Sequence, residues 1–599
     1  MQEKSNCLKE NKFFVLLGIF LFSFLSFIGE GRLRLEDWYQ VIHSLGAGGH
    51  HENLSTILKK SLNPNFLSGD LYADSLKYYF FPFVEGMKFF YKLGVDFNIQ
   101  SIILQWIGRI SFFAAIYSLS RFLTTSKLAV WISFAFLIRT RIIIGEFAIF
   151  SYFDPNMEIS MAICLFSILL FLKGKKDIAA CLAGIGTLFH YRFPVLLLLF
   201  YLIWITLNWK SVSKKTFFIG TGGSLLFSIP FLIMIIPLIT NQSTPENNEI
   251  AKLIILSAIG NEFSPFTTIG FIWPRYAFLF LTSIIGIKYF FSSENKVHPS
   301  TTRDLKTFLL LSAILIGLQY FFTEIIPTLL FLKLQTNRIL QFCLILTVIW
   351  TSQWYLVLIE NSKSNFLRVF IIFSMISLYF SDTLFYVLFQ KIKIYPIFCL
   401  ALFTLTFLSF NLKTLAISKI KLSKASCYTW ITIFVLLSSG LYFKRLSDVV
   451  PERWKLVDDW KSVQIWAKSN TPSDSIFFTP SGSAGFRTFS DRRCVGKLYD
   501  LHLVLSLDPK MVPEIYQRLQ DIEIPLINSI DKRRIFWEGK FKNKNSPEIR
   551  NKILDEKKYI KIRQKIHFNY IIRDKNFPLK FKKVFSNNTF VVYKMEDIH

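Results

Sequence analysis

The sequence predicts an α-helical, multi-spanning membrane protein that carries a small soluble α/β domain at its C-terminus. Three observations support this fold class. Of the 599 residues, 52% are hydrophobic and only 18% are charged. The apolar residues come in runs of about 16–22, long enough as helices to cross a hydrocarbon core about 30 Å thick. After Lys444 the composition changes to that of a soluble domain.

The charge of the chain is strongly positive, with a formal net charge of +28. Much of this charge falls in short loops between apolar runs, where basic residues fix the orientation of a membrane protein. No basic motif with interleaved aromatic residues indicates a nucleic-acid partner. The seven cysteines include no C-x-x-C pair, so they predict neither a zinc cluster nor a disulfide framework.

About 13 membrane spans are predicted from the apolar runs. The first run lacks a small-residue cleavage site, so we interpret it as an uncleaved span rather than a signal peptide. The predicted spans lie at 13–28, 101–121, 128–145, 157–172, 177–191, 193–208, 216–239, 268–288, 307–325, 338–358, 367–384, 395–411 and 426–443.

The basic loops predict the orientation of these spans. With the N-terminus inside, the basic clusters at 173–176, 210–215, 296–306, 363–368 and 413–424 all fall on the inner side, and only Lys391 and Lys393 do not. We therefore expect the N-terminus on the inner side. The membrane domain covers residues 1–443 and includes an outer loop at 30–100, and a domain on the outer side covers 444–599.

The C-terminal domain alternates helical and strand patterns, which favours a small α/β fold. Helices are predicted at 454–469 and near 510–520 and 547–557. Strands are predicted at 475–479, 568–572 and 589–593.

The first outer loop is too polar to span a membrane, yet it is rich in apolar residues at helical spacing. Leu35, Trp38, Val41, Ile42 and Leu45 form one such set, and Leu54, Ile57 and Leu58 form another. They predict two amphipathic helices that lie along the membrane surface. The polar face of the first carries Glu36 and Asp37, and Asp70 follows the Asn63-Pro64-Asn65 turn.

At these residues the chain resembles polytopic glycosyltransferases of the GT-C superfamily. Those enzymes have a first span, an outer loop with two amphipathic helices, and an essential carboxylate soon after the span. The resemblance extends to Leu62-Asn63-Pro64-Asn65-Phe66-Leu67 with Gly69-Asp70-Leu71-Tyr72, to Trp460, Trp466-Ala467 and Asn470-Thr471-Pro472, and to Gly485-Phe486-Arg487 with Ser490 and Arg492.

The resemblance implies an inverting transfer of a sugar from a polyprenyl phosphate to an acceptor hydroxyl of a glycan, lipid or protein in the cell envelope. It also implies a bacterial inner membrane as the location, with a cytoplasmic N-terminus and a periplasmic C-terminal domain. A carboxylate would act as the general base. Asp37 is the base by position, Glu36 is its direct competitor, and Asp70 is an equal alternative. The structural alternative is that these carboxylates form only the solvated face of an amphipathic helix.

Other polar residues near the outer ends of the spans are candidates for binding the sugar or the lipid phosphate. These are Asp154, His190, Arg192, Arg275 and Arg338. Asp154 equally fits a helix N-cap before Pro155. No metal site is predicted, because His50-His51-Glu52 lacks the H-E-x-x-H spacing. No cofactor is identified, although a divalent metal is an alternative by resemblance.

Two other classes of function stay open at this point. A transporter or flippase for a lipid-linked or anionic solute would place ionisable residues within the spans. A non-catalytic membrane scaffold would bind a partner through its outer domain. The sequence names neither the sugar nor the acceptor.

Overall fold

The computed structural model is largely helical, with a small mixed sheet near the C-terminus. It describes residues 12–29, 50–76, 82–138, 155–240, 245–259, 269–292, 298–326, 328–362, 367–379 with gaps, 429, 455–480, 485–496, 498–522, 524, 526 and 554–596.

The first part of the described chain is a bundle of helices with a helical first loop. In order, its helices are α1 (Lys12–Gly29), α2 (His50–Leu62), α3 (Leu71–Ser75), α4 (Pro82–Lys92), α5 (Phe97–Leu123), α6 (Lys127–Leu137), α7 (Pro155–Leu172), α8 (Lys176–Gly186), α9 (Arg192–Leu207), α10 (Lys214–Thr240), α11 (Pro245–Ile259), α12 (Ile269–Phe290), α13 (Pro299–Tyr320), α14 (Leu329–Leu334) and α15 (Leu340–Asn361). Short 3-10 turns cover Trp209–Ser211 and Thr336–Ile339, and a π-helical turn covers Phe321–Ile325.

Within the described residues, five helical segments are long and apolar enough to cross a membrane: Phe97–Leu123, Pro155–Leu172, Lys214–Ile233, Pro299–Thr323 and Thr336–Asn361. Shorter apolar helices lie at several other predicted spans, including α1 and α9. The protein is therefore a helical membrane protein. The predicted count of about 13 spans is not confirmed, and the last two predicted spans lie outside the described residues apart from position 429.

The two ends of the bundle differ in charge. Lys173, Lys175 and Lys176 join the end of α7 to the start of α8, and Lys176 pairs with Asp304 at 3.1 Å. Asp304 also accepts a hydrogen bond from the Trp204 indole. The first loop and the C-terminal domain pack against the opposite ends of these helices. They therefore share one side of the bundle.

The second predicted amphipathic helix of the first loop forms as α2, while the first, with Glu36 and Asp37, lies outside the described residues. Leu54, Ile57 and Leu58 of α2 are buried in a cluster that includes C-terminal residues. The expectation that this face lies on lipid is therefore wrong. The C-terminal domain supplies the apolar partner that the membrane was expected to supply.

The C-terminal domain has helices on both faces of a five-stranded sheet. Its helices are α16 (455–470), α17 (Phe486–Ser490), α18 (Leu498–Leu507), α19 (Val512–Asp521) and α20 (Glu556–Lys565), and a 3-10 turn covers Pro509–Met511. Its strands are β1 (Ile476–Phe478), β2 (Arg493–Cys494), β3 (Tyr570–Asp574), β4 (Lys582–Ser586) and β5 (Phe590–Lys594).

The strand order is β2-β1-β3-β5-β4, with β1 parallel to β2 and β3 and the other pairs antiparallel. Because side chains alternate along β5, Val592 packs on the face of the sheet that contacts Trp460, and Val591 packs on the face that contacts Tyr559. The predicted α/β class and three of the strands are confirmed. Predicted residues 547–553 lie outside the described part, and α20 begins only at Glu556.

Candidate functional site

Asp70 joins the first loop to the C-terminal domain. Its Oδ1 accepts from the backbone N–H groups of Tyr72 and Ala73, which makes it the N-cap of α3. Its Oδ2 accepts from Arg487 Nε at 2.8 Å and from the Cys494 N–H at 3.0 Å. A carboxylate offers about four lone-pair sites, and these four donors occupy them.

Arg487 is buried between two carboxylates and an aromatic ring. Besides Asp70, it donates through Nη1 to Asp500 Oδ2 at 2.8 Å, and its guanidinium lies 5.1 Å from the centre of the Tyr72 ring. Burial acts to lower the pKa of the Arg487 guanidinium, but the negative charge of Asp70, Cys494 and Asp500 outweighs it and raises that pKa. The guanidinium is therefore a permanent charge that the two carboxylates neutralise.

Further polar contacts join the first loop to the C-terminal domain. Lys59 donates to the Thr488 carbonyl at 2.6 Å and to Asp491 at 2.7 Å. The Gly69 backbone has φ +84, and a Cβ there would lie 3.1 Å from the Arg493 guanidinium, so the turn and the close approach both favour glycine. The first loop and the C-terminal domain thus form one packed cap.

The cap covers one end of the helical bundle through a shared apolar cluster. Leu58 of the first loop and Leu505 of α18 belong to the same cluster as Ile159 of α7, Ile254 of α11 and Leu332 of α14. α11 was not predicted from the sequence, because its first turn is Pro245-Glu246-Asn247-Asn248 and its apolar run is short.

Under the cap, the chain enters α15 through a buried polar segment of residues 335–338. Gln335 has φ +50, an uncommon conformation for a residue other than glycine, and it follows a π-helical turn and α14. The Gln319 side chain holds the segment by accepting from the Thr336 N–H at 2.6 Å and donating to the Phe331 carbonyl. Such strained, braced segments are frequent at functional sites.

Arg338 is the charged residue of this segment, and only 4% of its surface is exposed. Its Nε donates to Gln335 Oε1 at 2.7 Å, and its Nη1 lies 3.7 Å from the Met157 sulfur. The guanidinium also lies 5.8 Å from the centre of the Phe193 ring. The polar segment thus fixes a buried cation beside the first turn of α7.

His190 also packs against Phe193, with 5.7 Å between the ring centres. Ser160 of α7 donates to the His190 carbonyl at 2.9 Å, which holds the α8–α9 turn against α7. Asn156, one turn before Ser160, is 4% exposed, and its Oδ1 has no hydrogen-bond partner in the described structure. His190 and Arg338 are therefore both neighbours of Phe193, and both contact the first two turns of α7, through Ser160 and Met157.

Of the remaining predicted site residues, only Arg192 has its side chain in the described part of the structure. The Arg192 guanidinium is directed toward Tyr191, with Nε 3.4 Å from its hydroxyl. Arg275 belongs to α12, but its side chain lies outside the described part. Glu36, Asp37 and Asp154 also lie outside it, although Asp154 directly precedes the start of α7.

One charged pair was not predicted from the sequence. Arg109 of α5 and Glu158 of α7 form a fully buried bidentate pair, with Nε–Oε2 at 2.9 Å and Nη2–Oε1 at 2.6 Å. Arg109 Nη1 also donates to Ser26 of α1 at 2.8 Å. An arginine in the middle of the apolar run 101–121 was the available signal, because a charge inside a span requires a partner.

No acidic or histidine cluster able to hold a metal occurs among the described residues, which do not include Glu36 and Asp37 of the first loop. Arg492 of the C-terminal domain is buried and donates to the carbonyls of Lys468 and Thr471, both at 2.6 Å. Arg492 therefore binds the end of α16 and the turn that follows it.

Two of the comparisons with known proteins give matches. Residues 458–522 match a family described as a domain of unknown function, DUF6798. Among solved structures, the chain is similar to the apo crystal structure of the Archaeoglobus fulgidus oligosaccharyltransferase, at 12% identity and a TM-score of 0.37, covering 94% of this chain and 70% of that chain. No curated protein matches.

Proposed function

We propose that the chain is a membrane glycosyltransferase that transfers a sugar from a polyprenyl-phosphate donor to an envelope acceptor. The reaction would take place at the outer face of the bacterial inner membrane. The acceptor oxygen forms a bond to the anomeric carbon, the bond from that carbon to the phosphate oxygen breaks, and a carboxylate takes the hydroxyl proton. The polyprenyl phosphate leaves, and the anomeric configuration inverts.

The observation that supports this proposal is the position of Arg338. It is a buried cation at the end of a membrane helix, beside His190 and under a cap made of the first loop and the C-terminal domain. A lipid-linked donor needs a cation at the membrane boundary to stabilise the departing phosphate. The cap would exclude water from that point and leave access from the lipid.

We assign the general base to Asp37, with Glu36 as the alternative. Asp70 is proposed as a positioning residue, in place of the catalytic role that its place in the sequence suggests, because four protein donors already occupy its oxygens. Asp154 is proposed to act in donor binding, since it precedes the first turn of α7, where Arg338 contacts Met157.

The test is a comparison of envelope glycans and glycolipids from cells with and without the gene. The proposal expects one discrete sugar to be lost with the gene and restored by the wild-type chain. Neither Asp37→Asn nor the double change with Glu36→Gln should restore it, while both variants should reach the membrane at wild-type levels. Asp96→Asn is the matched control, because Asp96 only caps α5. Identical glycans with and without the gene would refute the proposal.

A transporter for a lipid-linked or anionic solute is the second candidate, and the buried Arg109–Glu158 pair is the observation that favours it. Vesicles that contain the purified protein separate the two functions. A transporter moves the lipid-linked sugar across the bilayer and leaves it intact, whereas a transferase consumes it.

A further inference from the structure

A stripe of polar side chains runs along α5 from its start to the buried pair. Ser101, Gln105 and Arg109 are spaced four residues apart, so they lie on one face of the helix. Their exposed fractions are 0%, 1% and 0%. This face of α5 is therefore enclosed within the protein although it is polar.

The contacts of Arg109 show what this face meets. Arg109 bonds Glu158 of α7 and Ser26 of α1, so the stripe faces the seam between these two helices. At the neighbouring Gly108, a Cβ would lie 3.0 Å from the Glu158 Cβ, so α5 and α7 are in close contact there. Both helices begin on the capped side, at Phe97 and Pro155, and therefore run parallel.

The stripe lies near the described ends of α7 and α1. Gln105 is one helical turn, about 6 Å, nearer the cap than Arg109. It is therefore at about the level at which α7 begins at Pro155, and Asp154 is the preceding residue in the chain. Ser26 is close to the end of α1, and Glu36 and Asp37 follow within the next ten or eleven residues of the chain.

The oxygens of this stripe have unused hydrogen-bonding capacity. Neither Ser101 Oγ nor Gln105 Oε1 has a hydrogen-bond partner in the described structure. Some other buried polar groups of the spans have protein partners: Ser133 donates to the Ala129 carbonyl at 2.8 Å, and Gln353 Oε1 accepts from the Ser126 N–H at 3.3 Å. Single atoms elsewhere in the described spans also lack a partner, among them Ser120 Oγ and Ser228 Oγ, but Ser101 and Gln105 lie one turn apart on the face that leads to the buried ion pair. Because a buried polar atom without a partner is costly, its presence in a folded protein calls for a specific reason.

We propose that Ser101 and Gln105 form a subsite for saccharide hydroxyl groups, a role that rests on the proposed glycosyl transfer and deepens it. A sugar supplies O–H donors to Gln105 Oε1, and the Ser101 hydroxyl both donates and accepts. The bidentate Arg109–Glu158 pair closes the inner end of the subsite and holds α5 against α7.

An ordered water molecule could supply the same hydrogen bonds as a sugar. Substitution of Gln105 distinguishes the water from the sugar. If the Gln105 oxygen serves a ligand, Gln105→Met removes an unsatisfied atom and raises the melting temperature of the purified full-length protein, by about 2 °C. If water satisfies it structurally, the same change lowers the melting temperature. Gln353→Met is the matched control and lowers it, because it removes a bond that the protein makes to itself.

Binding is measured on the same proteins with free hexoses and N-acetylhexosamines at about 100 mM, at which a weak site with a dissociation constant of about 10 mM is largely occupied. We expect at least one sugar to stabilise the wild type and Gln353→Met by about 2 °C more than it stabilises Gln105→Met. Equal stabilisation of all three proteins by every sugar overturns the proposal. So does a lower melting temperature for Gln105→Met.

These readouts do not depend on glycosyl transfer. If a sugar distinguishes the variants while the envelope glycans do not change with the gene, the subsite stands as a binding site and the proposed transfer fails. If the glycans change while no sugar distinguishes the variants, the transfer stands and the subsite fails.

Discussion

Arg487 Nε lies 2.8 Å from Asp70 Oδ2, and this buried ion pair joins two residues that are 417 positions apart in the chain. One belongs to the first loop, after α1, and the other to the C-terminal domain. The pair therefore makes the first loop and the C-terminal domain one unit over the end of the bundle.

The first prediction concerns this pair. Asp70→Asn should destabilise the cap by about 3–5 kcal/mol, because it leaves a buried guanidinium with only part of its compensating charge. Thermal unfolding and protease resistance of the C-terminal domain measure the loss. Asp74→Asn is the control, since its bond to Lys60 is partly exposed and should contribute about 1 kcal/mol or less. Equal effects of the two changes would contradict the role given to Asp70.

The second prediction concerns the pair inside the bundle. Arg109→Met should cost about 3–5 kcal/mol, because Glu158 would stay buried without its partner. Adding Glu158→Met should recover much of that loss, since an apolar pair removes the stranded charge. The melting temperatures of the detergent-purified single and double variants measure the coupling energy between Arg109 and Glu158. Additive losses in the double variant would show that the two side chains act independently.

The third prediction concerns alkaline pH. Burial raises the pKa of Tyr559 to about 12, above the value near 10 of an exposed phenol. The folded state therefore favours the neutral phenol. The stabilisation of the folded state by the neutral Tyr559 phenol is complete below about pH 10. It is lost as the pH rises through about 12, which lowers the free energy of unfolding by about 2 kcal/mol. The difference in melting temperature between Tyr559→Phe and the wild type should shift in favour of the variant from pH 9 to pH 11.5. A constant difference would contradict the shift.

Much of the fold follows from local sequence. The helices α1, α5, α7, α9, α10 and α15 lie within a few residues of predicted spans, because the length of an apolar run determines where a helix can cross a bilayer. α11 was missed, since its apolar part is short and amphipathic helices of this kind are stabilised by packing.

The site was only partly predictable, for physical reasons. His190 and Arg338 were identified because each is an ionisable residue beside an apolar run. Strand β2 has two residues and depends on β1 for its pairing, so it leaves no local pattern. The contact of Asp70 with Arg487 depends on tertiary packing, and a carboxylate in a loop looks the same in sequence whether it binds substrate or caps a helix.

The fourth prediction concerns Arg338. Arg338→Gln should reduce sugar transfer about 10–100-fold, the range expected for loss of a hydrogen-bonded charge. Arg338→Lys should retain part of the activity, since it keeps the charge but loses the planar guanidinium that matches a phosphate. Envelope glycan levels measure both. Arg368→Gln is the control, because Arg368 donates to the Ser362 carbonyl away from the capped end. Wild-type transfer by Arg338→Gln would contradict the phosphate-binding role.

The central claim is that this chain forms a glycosidic bond from a lipid-linked sugar. The most direct test places the purified protein in liposomes with polyprenyl-linked sugars and envelope acceptors extracted from the source cells, and follows the lipids and products by mass spectrometry. The account predicts release of polyprenyl phosphate and one new glycosylated product, both absent with the combined Glu36→Gln and Asp37→Asn variant. Lipid-linked sugar that stays intact with the wild-type protein, or identical products from the wild type and this variant, would contradict it.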